Sequence, residues 1–187
     1  MTPHLQLRTF RSPADPGWDE AMALCREAFP PRERRSEEDT VAALADPLFR
    51  ADGILLDGAL VGILFWWLWG EVRYIEHLAV DPALRGRNIG AQVLSEFCRG
   101  QRTILEIEPP EEPLAMRRKH FYERLGFRAN PHPYVHPSYG CPDEPHPLVL
   151  MSSPELLSND EARGFADFVR EKVLSYSRLA APSQPRL

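Results

Sequence analysis

The chain has 187 residues, a length that at roughly 150 residues a domain favours one compact domain. Apolar residues make up 43% and charged residues 26% of it, which excludes a disordered or fibrous protein. The 22 basic and 27 acidic side chains leave a formal net charge of −5, which fits a small cationic substrate better than nucleic acid or an anionic membrane.

The cysteines and the N-terminus indicate the compartment. Cys25, Cys98 and Cys141 are an odd number without a C-x-x-C pair, which favours free thiols in a reducing environment. The N-terminal sequence MTPHLQLRTF lacks the basic region and apolar core of a signal peptide. The most apolar run, residues 59–69, has about half of the ~20 residues that span a bilayer. We therefore expect a cytoplasmic protein.

The N-terminal quarter of the chain predicts one strand and two helices. Residues 5–10 alternate apolar and polar side chains, as a half-buried strand does. Residues 19–29 place apolar side chains at helical spacing before a Pro-Pro pair, which cannot continue a helix. Ser36 and the three acids after it have the composition of an N-cap and the first turn of a second helix.

The middle of the chain predicts adjacent antiparallel strands followed by a helix. Asp57-Gly58 separates two apolar runs, and both residues accept the positive φ that a tight hairpin needs. Residues 72–80 are rich in β-branched and aromatic side chains and predict a third adjacent strand. Residues 88–99 then have one apolar face at helical spacing.

The C-terminal half predicts alternating strands and helices. A strand at 103–108 ends at a Pro-Pro pair, and the next helix ends at Gly126, which favours a left-handed cap. Residues 130–147 contain six prolines and predict a long loop or hairpin arm before a last strand. A final helix is predicted over 159–176, and we expect the tail APSQPRL to fray.

A short turn between the strand at 72–80 and the helix after it is the most informative stretch. It reads R-G-R-N-I-G-A over residues 85–91 and presents free N–H groups and a helix N-terminus to an anion such as a phosphate. The glycines let a ligand approach the backbone, and Asn88 tolerates left-handed geometry. The alternative is an ordinary connection whose arginines are solvated. The turn matches neither the P-loop pattern nor G-x-G-x-x-G.

Two motifs together resemble one family. R-G-x-x-I-G-A after a strand that ends in L-A-V-D-P, with H-F-Y-E-R-L-G-F further along, resembles the GNAT superfamily of acetyl-CoA-dependent N-acetyltransferases. Arg85, Asn88 and Gly90 occupy the fixed positions of the family's pyrophosphate signature, with Asn88 where a glycine is usual. The resemblance extends over residues 5–152.

The resemblance implies a GNAT-like α/β fold of the α+β type. It has a mixed, mostly antiparallel sheet of about seven strands flanked by helices, with a C-terminal helical extension. The GNAT-like domain would be residues 1–153, and residues 154–187 would be the C-terminal helix and a flexible tail. The strand at 74–80 would splay from the strand at 103–108, with acetyl-CoA, the acyl donor, in the gap. The residues implied to bind it are Leu78, Ala79, Val80, Arg85, Gly86, Arg87, Asn88, Ile89, Gly90 and Ala91.

Tyr122, in H-F-Y-E-R-L-G-F, is the candidate acid. It stands where the family places a tyrosine near the CoA sulfur, which implies a general acid that protonates the departing thiolate. The alternative is an aromatic core residue beside Phe121 and Phe127. The resemblance also implies direct attack by the amine without a covalent enzyme intermediate, and a main-chain N–H near Leu78 that stabilises the oxyanion.

A base must also take a proton from the attacking ammonium. Glu76 is the leading candidate because an acid inside an apolar strand is unusual, and its alternative is a structural ion pair with Arg73 or another strand arginine. Glu106 and Glu108 point to one side of the facing strand and are runner-up bases or cation receptors. Strand alternation places His77 on the face opposite Glu76, so we interpret it as a packed or surface histidine.

The Pro/His-rich segment raises the question of a metal. His132, His136, Cys141 and His146 have the chemistry of zinc ligands, but their spacing matches no familiar zinc module, and the prolines indicate a rigid arm. We therefore expect no metal. The charged segment 30–35 lies between the first two helices, which border the acceptor cleft in the family, so the resemblance implies that Glu33 and Arg34 tune selectivity.

These observations predict an N-acetyltransferase that moves acetyl from acetyl-CoA to a primary amine, in the first instance a small cationic molecule. A protein or peptide amine is an open alternative, as is a catalytically silent acyl-CoA-binding or sensing module. A third alternative is a nucleotide-binding domain whose turn holds another phosphate ligand. A homodimer through a strand edge or the last helix also stays open.

Overall fold

The computed structural model describes residues 4–140, 143–144 and 146–177. They contain eight strands, five α-helices and three short 3₁₀-helices. The strands are β1 (Leu5–Phe10), β2 (Phe49–Leu56), β3 (Ala59–Trp69), β4 (Val72–Val80), β5 (Thr103–Ile107), β6 (Arg128–Ala129), β7 (Tyr134–His136) and β8 (His146–Ser153). The helices are α1 (Trp18–Ala28), α2 (Glu37–Ala43), α3 (Ile89–Phe97), α4 (Pro113–Arg124) and α5 (Asn159–Glu171). The sequence did not predict the two short strands β6 and β7 as separate elements. The tail predicted to fray lies outside the described residues.

The strands form one mixed sheet in the order β1-β2-β3-β4-β5-β8-β6, and β7 pairs with β8 beside it. Every pairing is antiparallel except that of β4 with β5, which is parallel. The predicted mixed, mostly antiparallel sheet with flanking helices and a C-terminal helix is therefore confirmed, with eight strands where about seven were expected.

Local chemistry explains where several elements begin and turn. Asp57 and Gly58 both have positive φ, 51° and 86°, as the two-residue hairpin between β2 and β3 requires. The Ser36 hydroxyl accepts a hydrogen bond from the Asp39 N–H at 3.0 Å and caps α2. Ser158 caps α5 in a reciprocal capping box with Glu161.

Apolar side chains pack on both faces of the sheet. One core joins the sheet to α1 and α5 and includes Trp18, Trp67 and Phe165, each at most 1% exposed. The other lies against α3 and includes Leu94 and Phe127. Because α5 contributes to the first core, the C-terminal helix packs on the sheet. In the described part of the chain, no helix combines the length and the apolar character needed to cross a membrane.

The parallel pair β4 and β5 separates after a short contact. Only three residue pairs join the strands, Arg73 with Thr103 through Ile75 with Leu105. At this point β4 contains a bulge, because Phe65 and Trp66 of β3 pair with His77 and Ile75 and leave Glu76 as the extra residue. A bulge bends its strand and increases its twist. The bend accompanies the divergence of β4 from β5 and opens a cleft between them.

Candidate active site

The cleft between β4 and β5 has a volume of about 370 Å³. One side of it is formed by the end of β4 and the start of the turn that follows. Leu78, Ala79 and Val80 line the cleft and pair with β3 on their other side, but with no described residue of β5. Their edge of β4 is therefore available to an extended ligand that takes the place of a strand.

The turn after β4 lines the same end of the cleft with Pro82 and Arg85, and it presents main-chain donors just beyond them. Gly86 and Asn88 have φ of 80° and 60°, in the left-handed region that the sequence predicted for Asn88. Among the described residues, no acceptor is found for the N–H groups of Ile89, Gly90 and Ala91 in the first turn of α3. These three donors and the helix dipole make an anion site.

Two further features of the turn fit a phosphate ligand. Arg85 and Arg87 are exposed, and neither forms an ion pair with a described residue. A Cβ at Gly90 would lie 3.7 Å from Phe121 Cζ, an ordinary contact, so the protein's own packing does not require glycine there. The absence of a side chain at Gly90 instead leaves room for a ligand outside the helix.

Tyr122 of α4 lines the cleft opposite β4. Its ring packs edge-on against Phe127 with centroids 5.8 Å apart, so the residue belongs to the aromatic core and to the cleft at once. Burial raises the pKa of the phenol to about 12, and the nearby Arg118 opposes that shift. The hydroxyl therefore keeps its proton at neutral pH, which is the form that an acid needs.

Glu76 is held in a buried ion pair. Its Oε2 lies 2.7 Å from Arg35 Nη1 and accepts a hydrogen bond from Trp67 Nε1 at 2.9 Å, while Oε1 accepts one from the Tyr139 hydroxyl. Burial is the largest single influence and raises the pKa of the carboxyl, but the charge of Arg35, the neighbouring His77 and the hydrogen bonds from Arg35 and Tyr139 together outweigh it and lower the pKa to about 2. A carboxylate with these partners is a poor proton acceptor. Arg73, the partner considered in the sequence, instead donates to Phe97 O at 2.6 Å.

Arg35 is a site residue that the sequence did not indicate. Its side chain is 2% exposed, and it donates to Val173 O at 2.9 Å as well as to Glu76. The guanidinium also lies over the rings of Trp67 and Tyr139, 5.2 and 5.4 Å from their centroids. Nothing in the charged stretch R-E-R-R-S-E-E-D distinguishes this arginine from its solvated neighbours, because its burial depends on three distant segments.

The expected placement of His77 on the face opposite Glu76 is wrong. The bulge breaks the strict alternation of β4, so both side chains lie on one face, with His77 Nδ1 3.9 Å from Glu76 Oε2. The packed interpretation of His77 is nevertheless confirmed, since the residue is 3% exposed and its Nε2 lies 2.8 Å from Glu33 O. Burial lowers the pKa of His77 and favours the neutral ring.

Carboxylates line the other end of the cleft. Glu106 of β5 and Glu108, which follows the end of that strand, both line the cleft, and Glu106 accepts a hydrogen bond from the Tyr74 hydroxyl at 2.8 Å. Glu108 is half-exposed and lies 3.1 Å from Arg118 Nη1. Glu33 also lines this end, where its burial and the charge of Glu108 raise the pKa of its carboxyl.

Two of the histidines considered as zinc ligands reach the cleft. His136 and His146 line it with ring centroids 5.8 Å apart, whereas His132 points away and its Nε2 lies 2.8 Å from Leu157 O. Cys141 lies outside the described residues. Within the described ranges, no three potential metal ligands come together.

Residues 49–129 match the family model described as an acetyltransferase (GNAT) domain. Over these residues the chain is similar to a GNAT acetyltransferase domain. The matched segment contains β4, the turn at 85–91, β5 and Tyr122, so it spans both walls of the cleft. A search of curated proteins gives no match.

Solved structures share the fold of the GNAT domain and of the segments around it. A protein assigned to the GNAT family from Bacteroides thetaiotaomicron is 28% identical with a TM-score of 0.83, covering 90% of this chain and 97% of that one. An Elizabethkingia anophelis GNAT acetyltransferase with acetyl-CoA bound is 14% identical with a TM-score of 0.53, and the match covers 79% of this chain and 96% of that one. Arabidopsis thaliana Naa50, in complex with the bisubstrate analogue CoA-Ac-MVNAL, is 18% identical with a TM-score of 0.58, and the match covers 80% of this chain and 97% of that one.

Proposed function

We propose that the protein transfers the acetyl group of acetyl-CoA to a primary amine of a small cationic molecule, by direct attack of the amine on the thioester. The observation that carries the proposal is the separation of β4 from β5, which leaves residues 78–80 without a β5 partner directly before the anion-binding turn. The structure from Elizabethkingia anophelis holds acetyl-CoA in the same fold, which supports this choice of ligand.

Each part of acetyl-CoA has a chemically suitable surface in the cleft. The amides of pantetheine would pair with the main chain of Leu78, Ala79 and Val80 as an added strand. The pyrophosphate would accept hydrogen bonds from the N–H groups of Ile89, Gly90 and Ala91, and Arg85 or Arg87 would add charge-assisted bonds. In this placement a main-chain N–H near Leu78 would stabilise the developing oxyanion.

Tyr122 would act as the general acid. Its hydroxyl has no hydrogen-bond partner among the described residues and lines the cleft, so it is available to a departing thiolate. Because burial holds its pKa near 12, the group is protonated whenever acetyl-CoA arrives. Proton donation of this kind typically contributes about 10² to 10⁴ in rate.

Glu76 is better suited to positioning than to proton transfer. Its three buried hydrogen bonds and the charge of Arg35 keep it ionised, and it is the extra residue of the bulge that separates β4 from β5. We therefore assign Glu76 the role of holding the bulge in place. Glu108, the runner-up base of the sequence analysis, would attract the acceptor together with Glu33 and Glu106, since three carboxylates at one end of the cleft favour a cation.

The experiment is thermal unfolding with acetyl-CoA, CoA or ATP, run beside thiol release from acetyl-CoA with an amine panel. A ligand present at about 100 times its Kd should raise the free energy of unfolding by roughly 2.7 kcal/mol. The panel contains spermidine, an aminoglycoside and a peptide with a free N-terminus. Stabilisation by acetyl-CoA with thiol release for spermidine or the aminoglycoside supports the proposal, and preference for the peptide would assign a protein acceptor instead.

Two results of that experiment would contradict the proposal. Stabilisation by ATP but not by CoA would make the turn a site for another phosphate ligand. Stabilisation by acetyl-CoA without thiol release for any amine would indicate a silent acyl-CoA-binding module.

A further inference from the structure

The Pro/His-rich arm between β6 and β8 forms part of the cleft wall. Its strand β7 pairs with β8 so that His136 lies opposite His146. Tyr139 anchors the arm, because its N–H donates to Arg32 O at 2.9 Å and its hydroxyl donates to Glu76. These contacts place the His146 ring in the cleft at the end that holds the carboxylates.

Hydrogen bonding within the arm determines which nitrogen of His146 carries the proton. The Ser138 side chain is buried, and its hydroxyl donates its single proton to Glu144 O. The Ser138 oxygen lies 3.0 Å from His146 Nδ1, and it can only accept there because its proton is already used. His146 Nδ1 is therefore the protonated nitrogen, and Nε2 carries the lone pair.

The lone pair of His146 is available in the cleft. Among the described residues Nε2 has no hydrogen-bond partner, although the ring is only half-buried and lines the cleft. An acceptor molecule that enters this end would therefore meet an imidazole nitrogen ready to take a proton. The arrangement has the parts of an activated base, namely a proton acceptor and a neighbour that orients it.

We propose that His146 is the general base of the acetyl transfer and that Ser138 is the positioning residue that fixes its tautomer. This inference rests on the proposed function, since it gives the amine of that reaction its proton acceptor. It also gives the arm, whose role the sequence left open, a part in catalysis.

The charged groups around His146 favour its neutral form. Burial lowers the pKa of the imidazole, and the nearby His136 and Arg32 lower it further, while Glu108 opposes them. Glu33 and Arg118 also line the cleft, and Arg118 is paired with Glu108. His146 is therefore a free base at neutral pH and can accept a proton from an ammonium group.

Glu76 and His77 are already committed to partners. Glu76 is bound to Arg35, Trp67 and Tyr139. The Nε2 of His77 forms a hydrogen bond with Glu33 O, and its Nδ1 is buried beside Glu76 without a hydrogen bond. His136 also lines the cleft, but it is 2% exposed and its Nδ1 is buried without a hydrogen bond that would fix its tautomer. His146 is therefore the cleft histidine with both a fixed tautomer and an accessible lone pair.

The proton transfers balance over the whole reaction. His146 Nε2 takes one proton from the acceptor ammonium, and the resulting amine forms a C–N bond with the thioester carbonyl carbon. Collapse of the tetrahedral adduct breaks the C–S bond, and the leaving thiolate takes a proton from Tyr122. The amide nitrogen loses its second proton to the Tyr122 phenolate, and His146 releases the first proton to solvent.

The first test needs no acceptor and uses the free protein. Nitrogen NMR of the imidazole, assigned with His146→Asn, should show the Nδ1–H tautomer and a pKa below the usual 6.5. Ser138→Ala should shift the ring towards the Nε2–H tautomer while the fold is kept. An Nε2–H tautomer in the unmodified protein would overturn the proposal, whether or not any amine is acetylated.

The second test compares His146→Asn with His132→Asn, a matched change in the same arm that lies away from the cleft. With spermidine or the aminoglycoside as acceptor, His146→Asn should lower kcat/KM near neutral pH by about 10² to 10⁴, with an unchanged acetyl-CoA Kd. Its activity should recover as pH rises, because the free amine then forms in solution. His132→Asn should behave like the unmodified protein.

The outcomes separate this inference from the proposed function. Unchanged kcat/KM and an unchanged pH profile in His146→Asn would refute the base while the acetyl transfer stands. Ser138→Ala supports the positioning role if kcat falls and the pH profile shifts while KM is kept. No thiol release by the unmodified protein would refute the transfer itself and with it the catalytic role of His146.

Discussion

The proposed cofactor side and the proposed acceptor side of the cleft are built in different ways. The proposed cofactor side is a continuous stretch of chain, residues 78–91, which offers an open strand edge and free main-chain N–H groups in a turn shaped by two positive-φ residues. The acceptor side is made of side chains that converge from distant segments. Arg35 and Glu76 are 41 positions apart, and Tyr139 and Glu76 are 63 apart.

This difference predicts which amino-acid substitutions each side of the cleft tolerates. A main-chain site depends on local geometry, so most side chains in it can change as long as the turn and the first helical turn form. A buried side-chain cluster depends on every partner at once, because one missing group leaves a charge or hydrogen bond unsatisfied. Variants on the two sides should therefore have different effects. Those on the cofactor side should weaken acetyl-CoA binding, and those on the acceptor side should lower stability or slow proton transfer.

The largest expected effect is that of Tyr122→Phe, which removes one hydroxyl from the boundary between the two sides. We expect kcat to fall by about 10² to 10⁴, because the thiolate would leave without its proton. Acetyl-CoA affinity should stay unchanged, since the ring still packs on Phe127. Steady-state kinetics with spermidine and calorimetric titration of acetyl-CoA measure the two quantities.

Tyr176→Phe is the matched control for that variant. The Tyr176 hydroxyl donates to Asp46 at 2.9 Å, and the residue is not among those lining the cleft, so kcat should not change. If Tyr122→Phe kept the full kcat, Tyr122 would be only a packing residue.

Arg35→Ala tests the acceptor side through stability. Removing one partner of a buried ion pair typically costs about 3–5 kcal/mol, because the remaining charge is left uncompensated. Urea unfolding measures the loss. The control is Arg26→Ala, which breaks a pair with Glu37 whose side chains are 48% and 44% exposed and should cost about 1 kcal/mol or less. Equal losses in the two variants would show that the Arg35 cluster is not the tightly coupled unit described here.

The same ion pair predicts the pH dependence of folding. The folded-state pKa of Glu76 is about 2 and the ordinary value is 4.5, so its contribution is present above 4.5 and is lost as pH falls towards 2. The loss should be about 3 kcal/mol at 1.36 kcal/mol for each pKa unit. In Arg35→Ala the pH dependence of stability should reverse. The free energy of unfolding should rise as pH falls, because a buried carboxyl without its cation is more stable when protonated.

Measuring the free energy of unfolding against pH for both proteins distinguishes these cases. Parallel curves for the unmodified protein and Arg35→Ala would mean that Glu76 does not depend on Arg35 for its charge.

The smallest expected effect belongs to Gly90→Ala on the cofactor side. The free protein should be as stable as before or slightly more so, because alanine favours a helix over glycine by about 1 kcal/mol and its Cβ meets only ordinary contacts. Acetyl-CoA binding should weaken by about tenfold, or ~1.4 kcal/mol, since the methyl group occupies the ligand's space. Gly164→Ala in α5, away from the cleft, should leave the Kd unchanged. Unaltered binding in Gly90→Ala would place the pyrophosphate elsewhere.

Much of the fold could be predicted because its signals are local. The Asp57-Gly58 hairpin, the Ser36 cap and the Gly126 stop are each specified by the residues at the position itself. The Glu76 bulge could not be predicted from strand alternation, since it arises where β4 meets β3 and has no signal in β4 alone. That bulge moved His77 to the face of Glu76 and so reversed the expected arrangement of the two side chains.

The sequence by itself determined most of the elements, the GNAT resemblance and the left-handed geometry of the turn after β4, because periodicity, caps and main-chain geometry depend on neighbouring residues. Only the tertiary structure decided that Arg35 neutralises Glu76, that the Pro/His-rich arm brings His146 to the cleft, and that Ser138 fixes the proton of that histidine. The physical reason is burial. The ionisation and reactivity of a side chain are governed by the desolvation and the partners it acquires when distant segments pack, and neither exists until the chain has folded.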